Sequence, residues 1–123
     1  MARLRSLIAG LALFCAAPAL AQQPARTIAK GDATITLGGT AQYLFSSDGS
    51  LANAITPADG AEVCNPDASV DLWVSDSGVA AANAAGSDRV PANGGCYIWR
   101  YQPLGPISVV GATTGKPVTA RRW

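Results

Sequence analysis

From Gly31 onward the chain is interrupted at short intervals by Gly, Pro, Asn and Asp, and no stretch between interruptions is long enough for a helix with a buried face. The 123 residues include 13 Gly and 8 Pro, so short strands are what the intervals can hold. Ala33 to Leu37 (ATITL) alternates and is β-branched, Gly38 and Gly39 punctuate, and Thr40 to Phe45 (TAQYLF) follows as a second strand. Asp48 and Gly49 mark a turn, and Ser50 to Ile55 (SLANAI) has room for one helical turn capped by Ser50 before Pro57 and Gly60 end it. Glu62 to Cys64 is a strand that stops at Asn65 and Pro66, because the proline cannot donate to a ladder.

Val70 to Ser75 (VDLWVS) is the clearest strand: Val70, Leu72 and Val74 share one face, the core face, and Asp71, Trp73 and Ser75 the other. Within the Ala- and Gly-rich segment 77–87, Val79 to Ala85 fits a short helix or a weak edge strand equally well. Asn93, Gly94 and Gly95 form the strongest turn signal, and Cys96 to Tyr101 (CYIWRY) is a strand on β-propensity. Pro103 and Pro106 fence off Ile107 to Val110, and Thr113 to Lys116 joins that strand to Val118 to Trp123 in a terminal hairpin. The expected fold is therefore all-β, a small antiparallel sandwich or barrel of about six to eight short strands, spanning residues 33–123 as one domain. Residues 22–32, polar and without periodicity, read as a flexible tether.

The amino terminus carries an export pattern. Arg3 and Arg5 give a positive start, Leu7 to Ala17 is an apolar run too short to anchor in a bilayer, and Pro18 ends it. Ala19, Leu20 and Ala21 then supply the small-x-small pattern of a cleavage site, so residues 1–21 read as a signal peptide and the mature chain as secreted or periplasmic. Phe14, before Cys15, argues against a lipid anchor, and no later apolar stretch approaches the roughly 20 residues of a spanning helix, so no membrane association is expected after cleavage. Without Arg3 and Arg5, seven basic residues stand against eight acidic ones. The basic residues are scattered apart from Arg121 and Arg122, which argues against nucleic acid as a partner.

The mature chain keeps two cysteines, Cys64 and Cys96, and an oxidising compartment favours a bridge between them. Closing a loop of about 33 residues contributes on the order of 3 to 4 kcal/mol through the denatured state. With no histidine in the chain, a zinc site is not expected, nor is any cofactor, and the Ser-His and Cys-His nucleophilic arrangements are excluded. A Ser-Lys dyad would need Lys30 or Lys116, and a glycosidase pair would need Glu62 with an aspartate across a cleft. Gly111 to Pro117 (GATTGKP) fails as a phosphate-binding loop: its glycines are one residue too close, and Pro117 occupies the place of the magnesium-binding hydroxyl. Asp67, Asp71 and Asp76 lack the alternate-residue spacing of a calcium loop. A non-enzymatic role is the expectation.

The remaining constellation is aromatic. Alternation places Tyr97, Trp99 and Tyr101 on one face of their strand and Cys96, Ile98 and Arg100 on the other. If Cys96 turns inward to meet Cys64, Ile98 is core and the three rings form an outer stripe, which with Trp73 offers a contact surface for a protein or a glycan. In the opposite arrangement the rings are core and Arg100 ends the exposed face.

The succession TITLGGTAQYLF, CNP, LWVSDSGVAA, GSDRVPANGGCY and ISVVGATTGKPVTARRW resembles the small β-sandwich accessory proteins of tailed-phage and prophage-derived gene clusters. The resemblance implies a structural or adhesive role, and it lies mostly in turn signatures. The export signal and the cysteine pair depart from that pattern. The sequence thus points to an exported, non-catalytic accessory structural or surface-binding protein, with a carbohydrate-binding module as the alternative. Amino-terminal sequencing of exported material is expected to begin at Gln22; a start at Met1 or Cys15 contradicts the leader reading.

Overall fold

The strands predicted from alternation assemble into two antiparallel sheets. The structure, a computed structural model, describes residues 28–123, so the leader and residues 22–27 of the polar lead lie outside the described residues. Nine strands follow in order: β1 (Ala29–Lys30), β2 (Ala33–Thr34), β3 (Gln42–Tyr43), β4 (Ala61–Asn65), β5 (Leu72–Ser75), β6 (Asp88–Val90), β7 (Gly95–Trp99), β8 (Ser108–Gly111) and β9 (Pro117–Arg122). The first sheet runs β1-β9-β4-β7, with β2 also paired to β9, and the second runs β3-β8-β5-β6. Among the described residues no helix is long and apolar enough to cross a membrane.

Period-two alternation explains how the sheets face each other. In β4, Ala61, Val63 and Asn65 are buried while Glu62 and Cys64 are half-exposed; in β9, Val118 and Ala120 are buried and Thr119 and Arg121 exposed. The second sheet supplies Leu72 and Val74 from β5, Val90 from β6 and Val109 from β8, and Ile35, Leu44 and Ile107 complete the core from flanking segments. Leu72 and Val74 thus lie on the face predicted for them.

The disulfide joins Cys64 and Cys96, which oppose each other directly in the β4–β7 ladder with Cα atoms 4.0 Å apart. It lies on the outer face. This decides the parity of β7: Ile98, two residues on, is 47% exposed, and Trp99 is 9% exposed and part of the core. Tyr97 packs against that core and meets Trp99 edge-on, ring centroids 4.5 Å apart. The arrangement with Cys96 inward and Ile98 in the core is therefore replaced by its opposite. The physical reason is bulk, since two aromatic rings remove far more apolar surface from water than one Ile and a Cys.

Asn65 ends β4 and is fully buried. Its side-chain amide donates to the carbonyls of Val70 at 2.8 Å and Val90 at 3.1 Å, and its carbonyl oxygen accepts from Asp67 N–H at 3.1 Å. One side chain from the first sheet thereby holds the entry to β5 and the end of β6 in the second, with its hydrogen-bonding capacity met.

Several expectations at the joins change. Sheet pairing reaches back to Ala29, inside the segment read as tether, because β1 pairs with β9 and Gly31 N–H donates to Ala120 O at 2.9 Å. The segment 79–85 is neither helix nor strand: Ser108 Oγ donates to Gly78 O at 2.7 Å and accepts from Ala80 N–H at 2.6 Å, and the left-handed Asn83 breaks any repeat. The expected terminal hairpin is an arch between sheets, since β8 pairs with β3 and β5 while β9 pairs with β1, β2 and β4. Gly115 N–H donates to Ile35 O at 2.8 Å, which lays the arch on the segment just after β2 instead. The helical turn after Ser50 is a single 3-10 turn, Leu51–Asn53, and Ser50 makes no side-chain cap; the Asp48 carboxylate accepts from Ser50 N–H at 2.9 Å.

Trp99→Ala is expected to cost about 3 to 5 kcal/mol in denaturant unfolding, as for other buried aromatics, whereas Ile98→Ala should cost about 1 kcal/mol or less. The reverse order of the two variants would place Ile98, not Trp99, in the core.

Candidate functional site

Of the aromatic residues singled out from the sequence, Tyr97, Trp99 and Tyr101 line one open depression of about 370 Å³ with Ile98, Arg100 and Gln102, and Trp73 lies apart from them. Trp73 lies in β5, in the second sheet, where it lines a cavity of about 240 Å³ with Ala80 and Val110. Tyr97 and Trp99 face the interior of the first sheet, and Tyr101, 83% exposed, stands beyond the end of β7. Burial first, and the neighbouring Asp88 carboxylate second, push the Tyr97 hydroxyl above its ordinary pKa. Of the four rings only Tyr101 is freely presented.

The other sequence candidates are occupied in building loops. Asp67 accepts from the N–H groups of Ser69 and Val70, both at 2.9 Å, and pairs with Lys116 Nζ at 2.7 Å. Asp71 accepts from Ala92 N–H at 2.9 Å and pairs with Arg89 at 2.6 Å; Asp76 accepts from Leu104 N–H at 3.0 Å. Each carboxylate ties a different pair of segments, as Asx-type turns and bridges do. Lys116 of the GATTGKP segment is therefore a partner of Asp67. Glu62 shares a shallow depression of about 240 Å³ with Cys64, Thr119 and Arg121, and no second carboxylate lines it. Ligand atoms of Glu62, Cys64 and Cys96 lie within 4.8 Å of one another, but both sulfurs are consumed by the disulfide and offer no thiolate to a metal.

A larger cleft lies elsewhere, at the margin between β1 and the end of β3. It encloses about 460 Å³ and is lined by Lys30, Asp32, Tyr43, Phe45, Ser46 and Arg122, among others. Its floor is built around Phe45, whose backbone is left-handed at φ 54° while its ring is 8% exposed. A bulky residue in this region is an outlier that costs about 1 to 3 kcal/mol. Three contacts hold it. Phe45 O accepts from Ile55 N–H at 3.1 Å, the Arg122 guanidinium lies 5.8 Å from the ring centroid, and Gly31 lies so close that a Cβ there would come within 2.3 Å of the ring. Ser46 and Lys30 line the same cleft, but the Ser46 hydroxyl is placed against Asp48 Oδ1 and Ser50 O, each at 3.0 Å.

A second cleft of about 360 Å³ is lined by Tyr43, Leu51, Asp76, Leu104 and Pro106, with others. Leu51 and Leu104 are exposed to 56% and 84%. Tyr43 lines both clefts, so the charged one and the apolar one lie side by side, and the two together are called the trough. Sequence reasoning weighed Lys30 and Asp76 only in other roles and did not single out the rest, because they come from widely separated segments and only the exposure of Leu51 and Leu104 marks them. No protein family, curated protein or solved structure matches the chain.

The Asp67–Lys116 pair has a pH signature. Lys116 first, then the N–H groups of Ser69 and Val70, hold the Asp67 carboxyl well below the usual carboxylate range. A depressed folded-state pKa stabilises the fold above the unfolded value of about 3.9, and the contribution is lost as pH falls through the folded value. Asp67→Asn is therefore expected to lower the melting temperature at pH 7, with the gap to the wild type shrinking on acidification below about pH 4. A gap that does not change with pH would mean that the charge of Asp67 contributes nothing.

Proposed function

We propose that this chain is an exported, non-catalytic β-sandwich that acts by binding through its surface, and that the trough centred on Tyr43 is the contact surface. The observation that carries this reading is the junction of the two clefts at one half-buried tyrosine, floored by the left-handed Phe45. Strained backbone held in place by several neighbours concentrates at sites of function, and concave surfaces with a few convergent polar groups are the usual seats of ligands. The export pattern and the disulfide Cys64–Cys96 support action outside the cytoplasm. The resemblance to phage-type accessory sandwiches agrees with a role that needs no reaction. The glycan alternative draws on Tyr97, Trp99 and Tyr101, which line one open depression, and on Trp73; it is the weaker reading because Trp99 is 9% exposed and Trp73 lies in the other sheet, which leaves Tyr101 as the one freely presented ring.

The test is binding by the oxidised protein, purified from a periplasmic preparation, on peptide and glycan arrays. A ligand should emerge whose affinity falls about tenfold or more in Leu104→Ser, an exposed position where folding is not at risk, and in Tyr43→Ala. An unchanged Tyr101→Ala is expected alongside. A ligand lost in Tyr101→Ala but kept in the trough variants would move the contact surface to the end of β7. Silence of both arrays would favour a purely structural part.

A further inference from the structure

The two ends of the trough differ in chemistry, and the difference selects an occupant. At the first end one carboxylate, Asp32, stands with two cations, Lys30 and Arg122. Asp32 Oδ1 accepts from Ala120 N–H at 3.0 Å, fixing the chain after β1 against β9. Lys30 and Arg122 form no ion pair among the described residues, unlike Lys116 with Asp67 and Arg89 with Asp71. Two cations against one carboxylate leave the cleft a net positive charge that a carboxylate of a ligand would satisfy. Arg122 is further restrained by the Phe45 ring beneath it, so part of the ordering cost of binding is already met by the fold.

At the second end the surface is aliphatic. Leu51 and Leu104 flank the cleft, with Pro106 in its lining, and Asp76 there is engaged by Leu104 N–H. Branched aliphatic side chains receive other aliphatic side chains, whereas sugars pack on the open faces of aromatic rings. The trough presents one such ring, Tyr43, half-buried, and the Phe45 ring is covered. Charge complementarity at one end and aliphatic contact at the other favour a peptide over a glycan.

We infer that the trough takes an extended acidic peptide, its carboxylates at Lys30 and Arg122 and an aliphatic side chain beyond Tyr43 between Leu51 and Leu104. This rests on the reading of the trough as the contact surface. The peptide lies across the Tyr43 ring, so neither half alone is expected to bind as tightly as the joined pair.

The probes are synthetic peptides of about eight residues with two aspartates followed, or preceded, by two leucines in a Ser-Gly background. The same peptides with asparagine for aspartate, and an oligogalacturonate as an acidic glycan, are the comparisons. Fluorescence anisotropy with the oxidised protein should show binding by an aspartate peptide, about tenfold weaker for its asparagine counterpart and weaker again at high salt. Lys30→Glu and Leu104→Ser, both at exposed positions, should each weaken it about tenfold, with thermal unfolding unchanged. Aspartate peptides that bind equally well to both variants, or no better than the asparagine set, would overturn the inference. Binding of oligogalacturonate alone, lost in Lys30→Glu, would overturn the peptide while leaving the trough as the contact surface. Failure of every probe, with an array ligand still lost in Tyr43→Ala, would do the same; array ligands indifferent to Tyr43 and Leu104 would remove both.

Discussion

A single covalent contact between directly opposed residues sets the geometry of the first sheet. Joining Cys64 to Cys96 across β4 and β7 fixes their register, because any slip would separate the two sulfurs, and it makes the two strands share one parity. Once Cys96 faces outward, alternation leaves Tyr97 and Trp99 no choice but the interior. Trp99 then covers the Ala61 end of β4, and Tyr97 stands opposite Val63. The bond thus lies outside the core, and the bulk of the two rings decides which way the bonded pair faces. An aliphatic sandwich of this size has little apolar surface to spare, and a strand turned over would expose both rings.

The second sheet depends on the first through polar groups. Asn65 reaches from β4 to the carbonyls of Val70 and Val90, and Ser108 reaches from β8 to the loop at Gly78 and Ala80. Both side chains are fully buried, so an apolar replacement would leave backbone groups of the opposite segments unpaired at about 1 to 3 kcal/mol each. The aspartates do at the surface what Asn65 and Ser108 do inside. Asp48, Asp67, Asp71 and Asp76 each accept backbone N–H groups of a loop, which is how a chain with so little regular structure keeps its connections in one conformation.

Much of this was legible in the sequence wherever local chemistry decides. Alternation located β5 and its core face, the Asn-Gly-Gly cluster located the turn before β7, and the two cysteines located the bridge. Parity was left open, and the pairing of the last two strands failed. Nothing in CYIWRY states which face is inner, because cysteine and aromatics are both commonly buried, and the choice is made by competition between them across the whole sheet. The hairpin expected from TTGK failed for a related reason. A short Gly-containing link suits a hairpin and an arch equally well, and here β8 and β9 each found other partners on both sides. Strands of two residues, such as β1 and β3, carry no period at all; their pairing comes from the strand beside them.

The trough was illegible for a stronger reason, since it depends on a backbone conformation that the residue type opposes. Phenylalanine at positive φ is disfavoured, and no local pattern announces it. The chain supplies the compensation at a distance: Gly31 omits the side chain that would strike the ring, Arg122 lies over it, and Ile55 bonds the carbonyl that the turn presents. Leu44 and Phe45 are consecutive and both buried, which an extended strand, with side chains alternating between its faces, cannot achieve on one side, so the left-handed turn is what brings the Phe45 ring in after Leu44. The residues that follow the turn, Ser46 and Ser47, line the cleft together with Lys30, Tyr43 and Arg122. The strain therefore has a packing cause, and the cleft lies where the chain departs from β3 to satisfy it.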